Sequence, residues 1–186
     1  YDHRFGKGRE ASVTDLKNYS NDLDFKVEEI KAQEIEKITI SSTKIRNSIN
    51  EGDLITTEKY LGRYFKLTGK VIKGDGLGKK INYPTANLLI KEKYKIIPKD
   101  GVYFIKTKVD NKLYNGMMNI GHRPTIGSND KSIEVHLFNF NQDIYDKQIS
   151  VDIVLKIRDE IKFSSIKDLK EQLLKDENYC LKLINK

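Results

Sequence analysis

The sequence predicts a mainly β protein, in which a small closed barrel of six strands is followed by one long C-terminal α-helix. Six segments of strand-like composition follow one another at short spacing after residue 58, at residues 64–73, 85–90, 102–109, 113–120, 132–140 and 148–157. Asp110-Asn111 is a tight-turn signal, and the Gly, Pro, Ser and Asn residues of 121–131 predict a loop. Several short strands with so few helices between them favour a closed barrel.

The last part of the chain has the pattern of an amphipathic helix. Ser164-Ser165 opens it, Ser165 with Asp168 resembles a capping box, and the helix continues to about Ile184. Apolar residues recur at helical spacing and predict a buried stripe made of Ile166, Leu169, Leu173, Cys180 and Ile184.

The segment before the barrel mixes strand and helix signals. Alternation predicts short strands near residues 25–30 and 37–40. Two short helices should follow, because Ser or Asp favours a helix start and Gly favours a helix end. Their predicted boundaries are Ser41 or Ser42, Gly52, Asp53 and Gly62.

Composition excludes several classes of protein. The chain has 186 residues, of which 38% are hydrophobic and 33% are charged. No apolar run approaches the roughly 20 residues of a membrane span, and no secretory signal pattern is found. The single cysteine, Cys180, excludes an internal disulfide and fits a reducing compartment. We therefore expect a cytoplasmic protein without a membrane partner.

Positive charge is concentrated in the barrel part. Residues 1–60 contain 10 basic and 12 acidic residues, whereas residues 61–186 contain 24 basic and 15 acidic residues. A basic domain fits the handling of a polyphosphate such as ATP. A basic β-barrel that binds single-stranded nucleic acid is the alternative, since ten tyrosines accompany this charge.

The stretch from Gly74 to Asn87 reads Gly-Asp-Gly-Leu-Gly-Lys-Lys-Ile-Asn-Tyr-Pro-Thr-Ala-Asn. Alternating glycines allow backbone N–H groups to turn toward an anion, and the two lysines add positive charge. Thr85 and Asn87 are two residues apart, so their side chains share one face of an extended segment and offer Mg²⁺ two oxygen ligands. By spacing alone, a glycine-rich hairpin turn explains the same residues.

If a polyphosphate such as ATP bound here were to donate a phosphoryl group, the reaction would also need a group that orients or deprotonates the attacking hydroxyl. Glu134 is the candidate, within Ser-Ile-Glu-Val-His-Leu-Phe, where it shares one strand face with His136. By pattern alone, a solvated strand glutamate is the alternative.

These motifs, in this order, resemble the C-terminal part of the bacterial bifunctional riboflavin kinase and FAD synthetase family. The Pro-Thr-Ala-Asn run of residues 84–87 is similar to its riboflavin kinase signature, although Ile81-Asn82-Tyr83 replaces the usual Leu-Gly-Phe. Ile-Ser-Ser-Thr-x-x-Arg at residues 40–46 is similar to the second signature of its nucleotidyltransferase domain. The first signature of that domain, His-x-Gly-His, does not occur in this sequence.

The resemblance implies two parts: residues 1–57 as the α/β tail of an FMN adenylyltransferase domain, and residues 58–186 as a complete riboflavin kinase domain. It implies phosphorylation of riboflavin by ATP to give FMN and ADP, with Mg²⁺, and with FAD synthesis confined to a longer parent protein. It also implies small-molecule substrates and no nucleic-acid partner, and it leaves the oligomeric state open.

The resemblance further assigns individual roles. Glu134 is the expected catalytic base, Thr85 and Asn87 are the expected metal ligands, and Arg158 is the expected flavin contact, although Asp159 replaces the usual proline after it. The expected ATP contacts are Gly74, Gly76, Gly78, Lys79, Lys80, Leu137, Asn139 and Tyr145. The expected remnant of the adenylyltransferase site is Ser42, Thr43 and Arg46. Arg123 is expected to stabilise phosphate charge or to hold its own loop.

Overall fold

The computed structural model describes residues 4–29, 34–35, 38–74, 76–122 and 131–184. The chain forms two compact units, residues 1–41 and 42–186. The first unit contains a 3₁₀ turn at Lys7–Arg9, helix α1 at Val13–Asp22, and a two-stranded ribbon of β1 (Glu34–Ile35) and β2 (Ile38–Thr39).

This first unit differs from the sequence prediction in two places. The predicted strand at residues 25–30 is wrong for residues 25–29, which adopt no regular structure, and Ile30 lies outside the described residues. Helix α1 was not predicted. Its signal was nevertheless in the sequence, because Ser12 and Asp15 form a capping box in which the Ser12 N–H donates to Asp15 Oδ2 at 2.7 Å.

The second unit begins with two short helices, α2 at Ser42–Glu51 and α3 at Leu54–Leu61. Gly52 follows α2 with φ of 77°, and Gly62 ends α3 in the left-handed conformation. Asp53 caps α3, since its side chain accepts a hydrogen bond from the Thr56 N–H at 3.0 Å. The predicted helix boundaries are therefore confirmed.

The six predicted strands are confirmed, although the fifth ends at Leu137 instead of residue 140, and they close into an antiparallel barrel. The strands are β3 (Phe65–Ile72), β4 (Ala86–Leu89), β5 (Gly101–Val109), β6 (Lys112–His122), β7 (Lys131–Leu137) and β8 (Gln148–Arg158). Their order around the barrel is β3, β4, β7, β6, β5, β8, and β8 pairs with β3. The β5–β6 turn is the predicted Asp110-Asn111, where both residues have positive φ.

The barrel wall is buried on its inner face and partly buried on its outer face. Alternate residues such as Ile133, Val135 and Leu137 of β7 point into the main core inside the barrel. A second apolar cluster lies outside the wall, where Val102, Phe104 and Met117 pack with residues of the C-terminal helix. The outer face of these strands is therefore available to form a site under that helix.

The C-terminal helix, α5, spans Ile166–Ile184. The capping prediction is confirmed, because the Asp168 N–H donates to Ser165 Oγ at 3.1 Å. Leu169, Leu173 and Cys180 pack on the barrel as predicted, and burial raises the pKa of the Cys180 thiol to about 12. The rest of the predicted stripe is wrong, since Ile166 and Ile184 are exposed. A fourth short helix, α4 at Leu77–Lys80, lies within the glycine-rich stretch and was not predicted.

Candidate active site

A cavity of about 340 Å³ lies on the outer wall of the barrel under α5. Strands β4, β5, β6 and β7 form its floor, residues 76–85 form one end, and residues 158–163 form the other. Polar side chains line the first end and the floor: Thr85, Asn87, Asn119, Glu134 and His136. The second end combines Arg158 and Glu160 with the apolar side chains of Val102, Met117, Ile161, Phe163, Leu169 and Leu173.

The polar floor is a row of three residues on three adjacent strands. Glu134 of β7 is directly opposite Asn87 of β4 on one side and directly opposite Asn119 of β6 on the other. Side chains of directly opposed residues start about 4.5–5.5 Å apart on one face of a sheet. The carboxylate therefore lies between two amides, on the face opposite to the barrel core.

Thr85 extends this row toward residues 76–85, which we call the glycine turn. Thr85 immediately precedes β4, and it lines the cavity together with Gly76 and Gly78. Gly76 has φ of 72°, a conformation that glycine adopts without steric cost. Gly78 approaches so closely that a Cβ atom there would overlap the Tyr83 carbonyl and contact Thr85 Oγ1.

Gly74 does not line the cavity, but its lack of a side chain leaves space for Asn87. A Cβ atom at Gly74 would overlap Nδ2 of Asn87, whose residue is only 5% exposed. Because Gly74 has no side chain, the Asn87 amide fits between the start of the turn and the strand. Gly74 therefore leaves the space in which the Asn87 side chain lies.

Arg158 is held at the opposite end by a buried acid of α5. Its Nε donates to both carboxylate oxygens of Asp176, at 3.1 and 2.9 Å, and its Nη2 lies 2.8 Å from Asp176 Oδ2. The Asp176 side chain is 3% exposed, and it also accepts a hydrogen bond from Gln172 Nε2 at 2.8 Å. The ring of Phe163 lies 5.9 Å from the Arg158 guanidinium carbon. The orientation of Arg158 is thus fixed by α5.

Tyr83 connects the glycine turn with the same helix. Its hydroxyl donates to Glu177 Oε2 at 2.9 Å. Burial, followed by the hydrogen bond and charge of Glu177, raises the pKa of Tyr83 to about 12. The Tyr83 ring also packs on His136, with centroids 5.2 Å apart, and His136 Nδ1 lies 2.8 Å from the Pro84 carbonyl oxygen. This contact network holds the turn against both β7 and α5.

Several expected ATP contacts lie elsewhere in the barrel unit. Lys79 and Lys80 are exposed on α4 and do not line the cavity. Leu137 points into the barrel core, and Asn139 is exposed with φ of 53°. Tyr145 is 40% exposed, and its ring lies 5.6 Å from Lys73 Nζ. The structure therefore brings Gly76, Gly78, Thr85, Asn87, Glu134 and Arg158 to one cavity and leaves the other expected contacts outside it.

The expected remnant of the adenylyltransferase site lies at a different cavity. Ser42 and Arg46 line a second cavity of about 460 Å³, together with Arg63, Lys66 and Lys95, whereas Thr43 does not line it. Arg123 lies outside the described residues. No role was predicted for Asn119, Tyr83 or Asp176, although strand alternation places Asn119 on the same face as Met117.

The described residues contain no group of three or more His, Cys, Asp or Glu side chains able to hold a metal ion by themselves. Thr85 and Asn87 instead offer neutral oxygen atoms at the polar end of the cavity. This donor set fits Mg²⁺, which is commonly bound by few protein ligands and completes its shell with phosphate and water. Across the described ranges, no helix is both long enough and apolar enough for a membrane span.

Comparison with protein families gives two matches. A family model described as riboflavin kinase matches residues 61–184, and one described as FAD synthetase matches residues 1–44. The first match contains the whole barrel, α5 and the cavity.

Curated relatives match the chain nearly end to end. A bifunctional riboflavin kinase/FMN adenylyltransferase of Haemophilus influenzae is 39% identical over 94% of this chain and 56% of its own length. A protein of the same description from Buchnera aphidicola is 40% identical over 99% of this chain and 60% of its own length. The chain thus spans a little over half the length of these relatives.

One solved structure resembles the chain over most of its length. It is a crystal structure described as a macrolide-efflux protein from Streptococcus pneumoniae, with a TM-score of 0.84 and 36% sequence identity. The match covers 96% of this chain and 57% of that one. The arrangement of elements described above therefore also occurs in a crystal structure.

Proposed function

Because the chain belongs to the riboflavin kinase family, we propose that it transfers the γ-phosphoryl group of ATP to the 5′-hydroxyl of riboflavin. The hydroxyl oxygen forms a bond to the γ-phosphorus, the bond from that phosphorus to its bridging oxygen breaks, and the hydroxyl proton leaves to a base. The products are FMN and ADP. Bacterial relatives described as flavin-nucleotide enzymes also support a cytoplasmic location.

The observation that supports this proposal best is the position of one carboxylate between two amides on the cavity floor. Glu134 is flanked by Asn87 and Asn119 and lies in the same cavity as Thr85. In our proposal Glu134 accepts the proton of the riboflavin hydroxyl, and the flanking amides orient the carboxylate and the substrate hydroxyls. General-base help of this kind contributes about 10²–10⁴-fold to a rate.

The two ends of the cavity differ in the ligands they suit. The end with Gly76, Gly78 and Thr85 suits phosphates, because its backbone approaches closely without bulky side chains. The end with Val102, Met117 and Phe163 suits the flat, largely apolar ring system of a flavin. Bound end to end, the two substrates bring the sugar-alcohol chain of riboflavin and the γ-phosphate together near Glu134.

Thr85 and Asn87 are our proposed protein ligands for Mg²⁺. When bound, Mg²⁺ would neutralise phosphate charge that otherwise opposes the attack of an oxygen nucleophile. The contribution of the chain is to hold the two oxygen donors beside Glu134, with Gly74 leaving room for the Asn87 amide.

Two other functions receive less support. An RNA-binding barrel explains the basic charge but gives no reason for the flanked carboxylate in a cavity. A structure from Streptococcus pneumoniae is described as a macrolide-efflux protein. Macrolide efflux is less well supported for this chain, because the family model and the curated relatives are described as riboflavin kinases.

The test is the Glu134→Gln variant assayed for FMN formation from riboflavin, ATP and Mg²⁺. We expect turnover to fall by at least about 10²-fold, because the amide cannot accept the proton. Calorimetric binding of Mg-ADP should persist, because the phosphate end of the cavity is unchanged.

Glu92→Gln is the matched control, since Glu92 is exposed in a turn and does not line the cavity. It should retain wild-type turnover. Wild-type turnover in Glu134→Gln would remove Glu134 from its proposed role, and wild-type protein that forms no FMN would reject the proposed function.

A further inference from the structure

Two consecutive acidic residues of α5 contact opposite ends of the cavity. Asp176 binds the guanidinium of Arg158, and Glu177 accepts the hydroxyl hydrogen bond of Tyr83. Successive residues of an α-helix point about 100° apart, so neighbouring side chains can reach different walls. Asp176 and Glu177, which are adjacent in α5, therefore contact the two ends of the cavity that we assigned to the flavin and to the phosphates.

The Tyr83 contact acts on the phosphate end. The Tyr83 N–H donates to the Gly78 carbonyl oxygen at 2.8 Å, and Tyr83 is only two residues before Thr85. The residue is 8% exposed, and its ring lies against His136 of β7. Its hydroxyl donates a hydrogen bond to Glu177 and so connects this turn with α5. Loss of that bond would loosen the attachment of the turn to α5 and leave the Tyr83 ring packed on His136.

The Arg158 contact acts on the flavin end. Asp176 fixes the guanidinium through both of its carboxylate oxygens, and Gln172 in turn contacts Asp176. The Arg158 side chain is 16% exposed, so little of it is free to reorient toward solvent. This contact does not involve residues 76–85, and it should therefore have little influence on nucleotide binding.

We propose that Glu177, acting through the Tyr83 hydroxyl, is a positioning residue for the nucleotide, whereas its neighbour Asp176, acting through Arg158, serves the flavin. Glu177 contacts the turn and not the reacting atoms, so its effect is on how well the phosphate end is preorganised. The inference rests on the proposed function, because it assigns the two ends to the two substrates.

The test measures the affinities of Mg-ADP and riboflavin separately by calorimetry. Tyr83→Phe and Glu177→Ala should each weaken Mg-ADP binding by about tenfold, as expected for losing one hydrogen bond to a charged group. Riboflavin affinity should stay within about twofold of wild type. The double variant should be no weaker than either single variant, because all three lack the same bond.

Three control variants and one stability measurement separate a positioning role from a general loss of folded structure. Glu177→Gln keeps a carbonyl acceptor and should restore most of the Mg-ADP affinity. Tyr179→Phe removes a hydroxyl from an exposed position on the same helix, and Glu171→Gln alters an exposed acid there; neither should change either affinity. A thermal midpoint near that of wild type should show that Tyr83→Phe remains folded.

The outcomes distinguish the two proposals. If Mg-ADP and riboflavin lost affinity equally, or if Tyr83→Phe kept the wild-type affinity for Mg-ADP, the positioning role of Glu177 would be overturned. The kinase proposal would stay in place. A wild-type protein that binds neither ligand would overturn the proposed function and this inference with it.

Discussion

At the scale of single residues, the site depends on where a side chain is absent as much as on where one is present. Glycine at position 74 leaves the space that the Asn87 amide occupies. Asn82 has φ of 65°, a left-handed conformation that asparagine tolerates better than most residues. Glycine is the other residue suited to that conformation, so Asn82 is compatible with a turn at the place where the resembled family usually has Leu-Gly-Phe.

Gly74→Ala is predicted to reduce activity more than stability. The new methyl group would displace the Asn87 amide, which is the end of a side chain and moves more easily than backbone. We expect FMN formation to fall by at least about tenfold, because a displacement near 1 Å at a reacting site can cost more than that. The check is kcat measured beside a urea unfolding curve.

Gly62→Ala is the matched control for this prediction. Gly62, unlike Gly74, has positive φ, and a Cβ atom there meets nothing within 4 Å. It should cost about 1 kcal/mol of unfolding free energy, because a non-glycine residue is strained in that conformation, and it should leave kcat unchanged. Normal kcat in Gly74→Ala would show that the position of Asn87 does not matter for turnover.

At the scale of elements, the ends of β6 and β7 are connected through one carboxylate. His122 Nδ1 lies 2.8 Å from Asp100 Oδ2, and Lys131 Nζ lies 3.0 Å from Asp100 Oδ1. Burial alone would raise the pKa of Asp100, but the nearby Lys131 and His122 outweigh burial and hold that pKa below its usual range. The carboxylate thus helps to fix the start of the strand that carries Glu134.

This arrangement predicts an acid-dependent contribution to stability. Because the pKa of Asp100 is lower in the folded state than its unfolded value of about 4, the charged carboxylate stabilises the fold above that pH. The contribution is lost as pH falls through the lower, folded-state pKa. Asp100→Asn should therefore be less stable than wild type at pH 5, and the difference should narrow on acidification.

Urea unfolding of wild type and Asp100→Asn at a series of pH values from 5 downward measures this difference. Asp110→Asn is the control, since Asp110 pairs with Lys147 at an exposed turn, where ion pairs are worth about 0–1 kcal/mol. A stability gap between wild type and Asp100→Asn that stays constant with pH would show that the ionised carboxylate is not what matters.

At the scale of the whole molecule, the chain contains a barrel unit with its own cavity and a separate unit of residues 1–41. The family matches divide the chain similarly, at residues 1–44 and 61–184. The predicted division at residue 57 stays a prediction. Helices α2 and α3 belong to the barrel unit by their contacts, although the sequence prediction assigned most of them to the nucleotidyltransferase tail.

We expect this 186-residue chain to phosphorylate riboflavin without adenylylating FMN. Its curated relatives are described as bifunctional, but the His-x-Gly-His signature expected for the second activity does not occur in this sequence. Incubation with FMN, ATP and Mg²⁺, followed by chromatography, should reveal no enzyme-dependent FAD. The same preparation given riboflavin should form FMN, which serves as the positive control. Enzyme-dependent FAD would contradict the division of activities.

Most local elements of this protein are predictable from short stretches of its sequence. The strands, the Asp110-Asn111 turn and the caps at Asp53 and Ser165 follow from neighbours a few residues apart, which is why they could be predicted. Residues 25–29 alternate like a strand but adopt no regular structure, and the exposure of Ile166 depends on how α5 packs on the barrel, which helical spacing alone does not determine.

The site, in contrast, forms through contacts between elements that are distant in the sequence. Insertion of β7 between β4 and β6 places Glu134 beside Asn87 and Asn119, and register is set by pairing of strands far apart in sequence. The packing of α5 then brings Asp176 to Arg158 and Glu177 to Tyr83. Such contacts depend on how whole elements meet, and no short stretch of sequence contains that information.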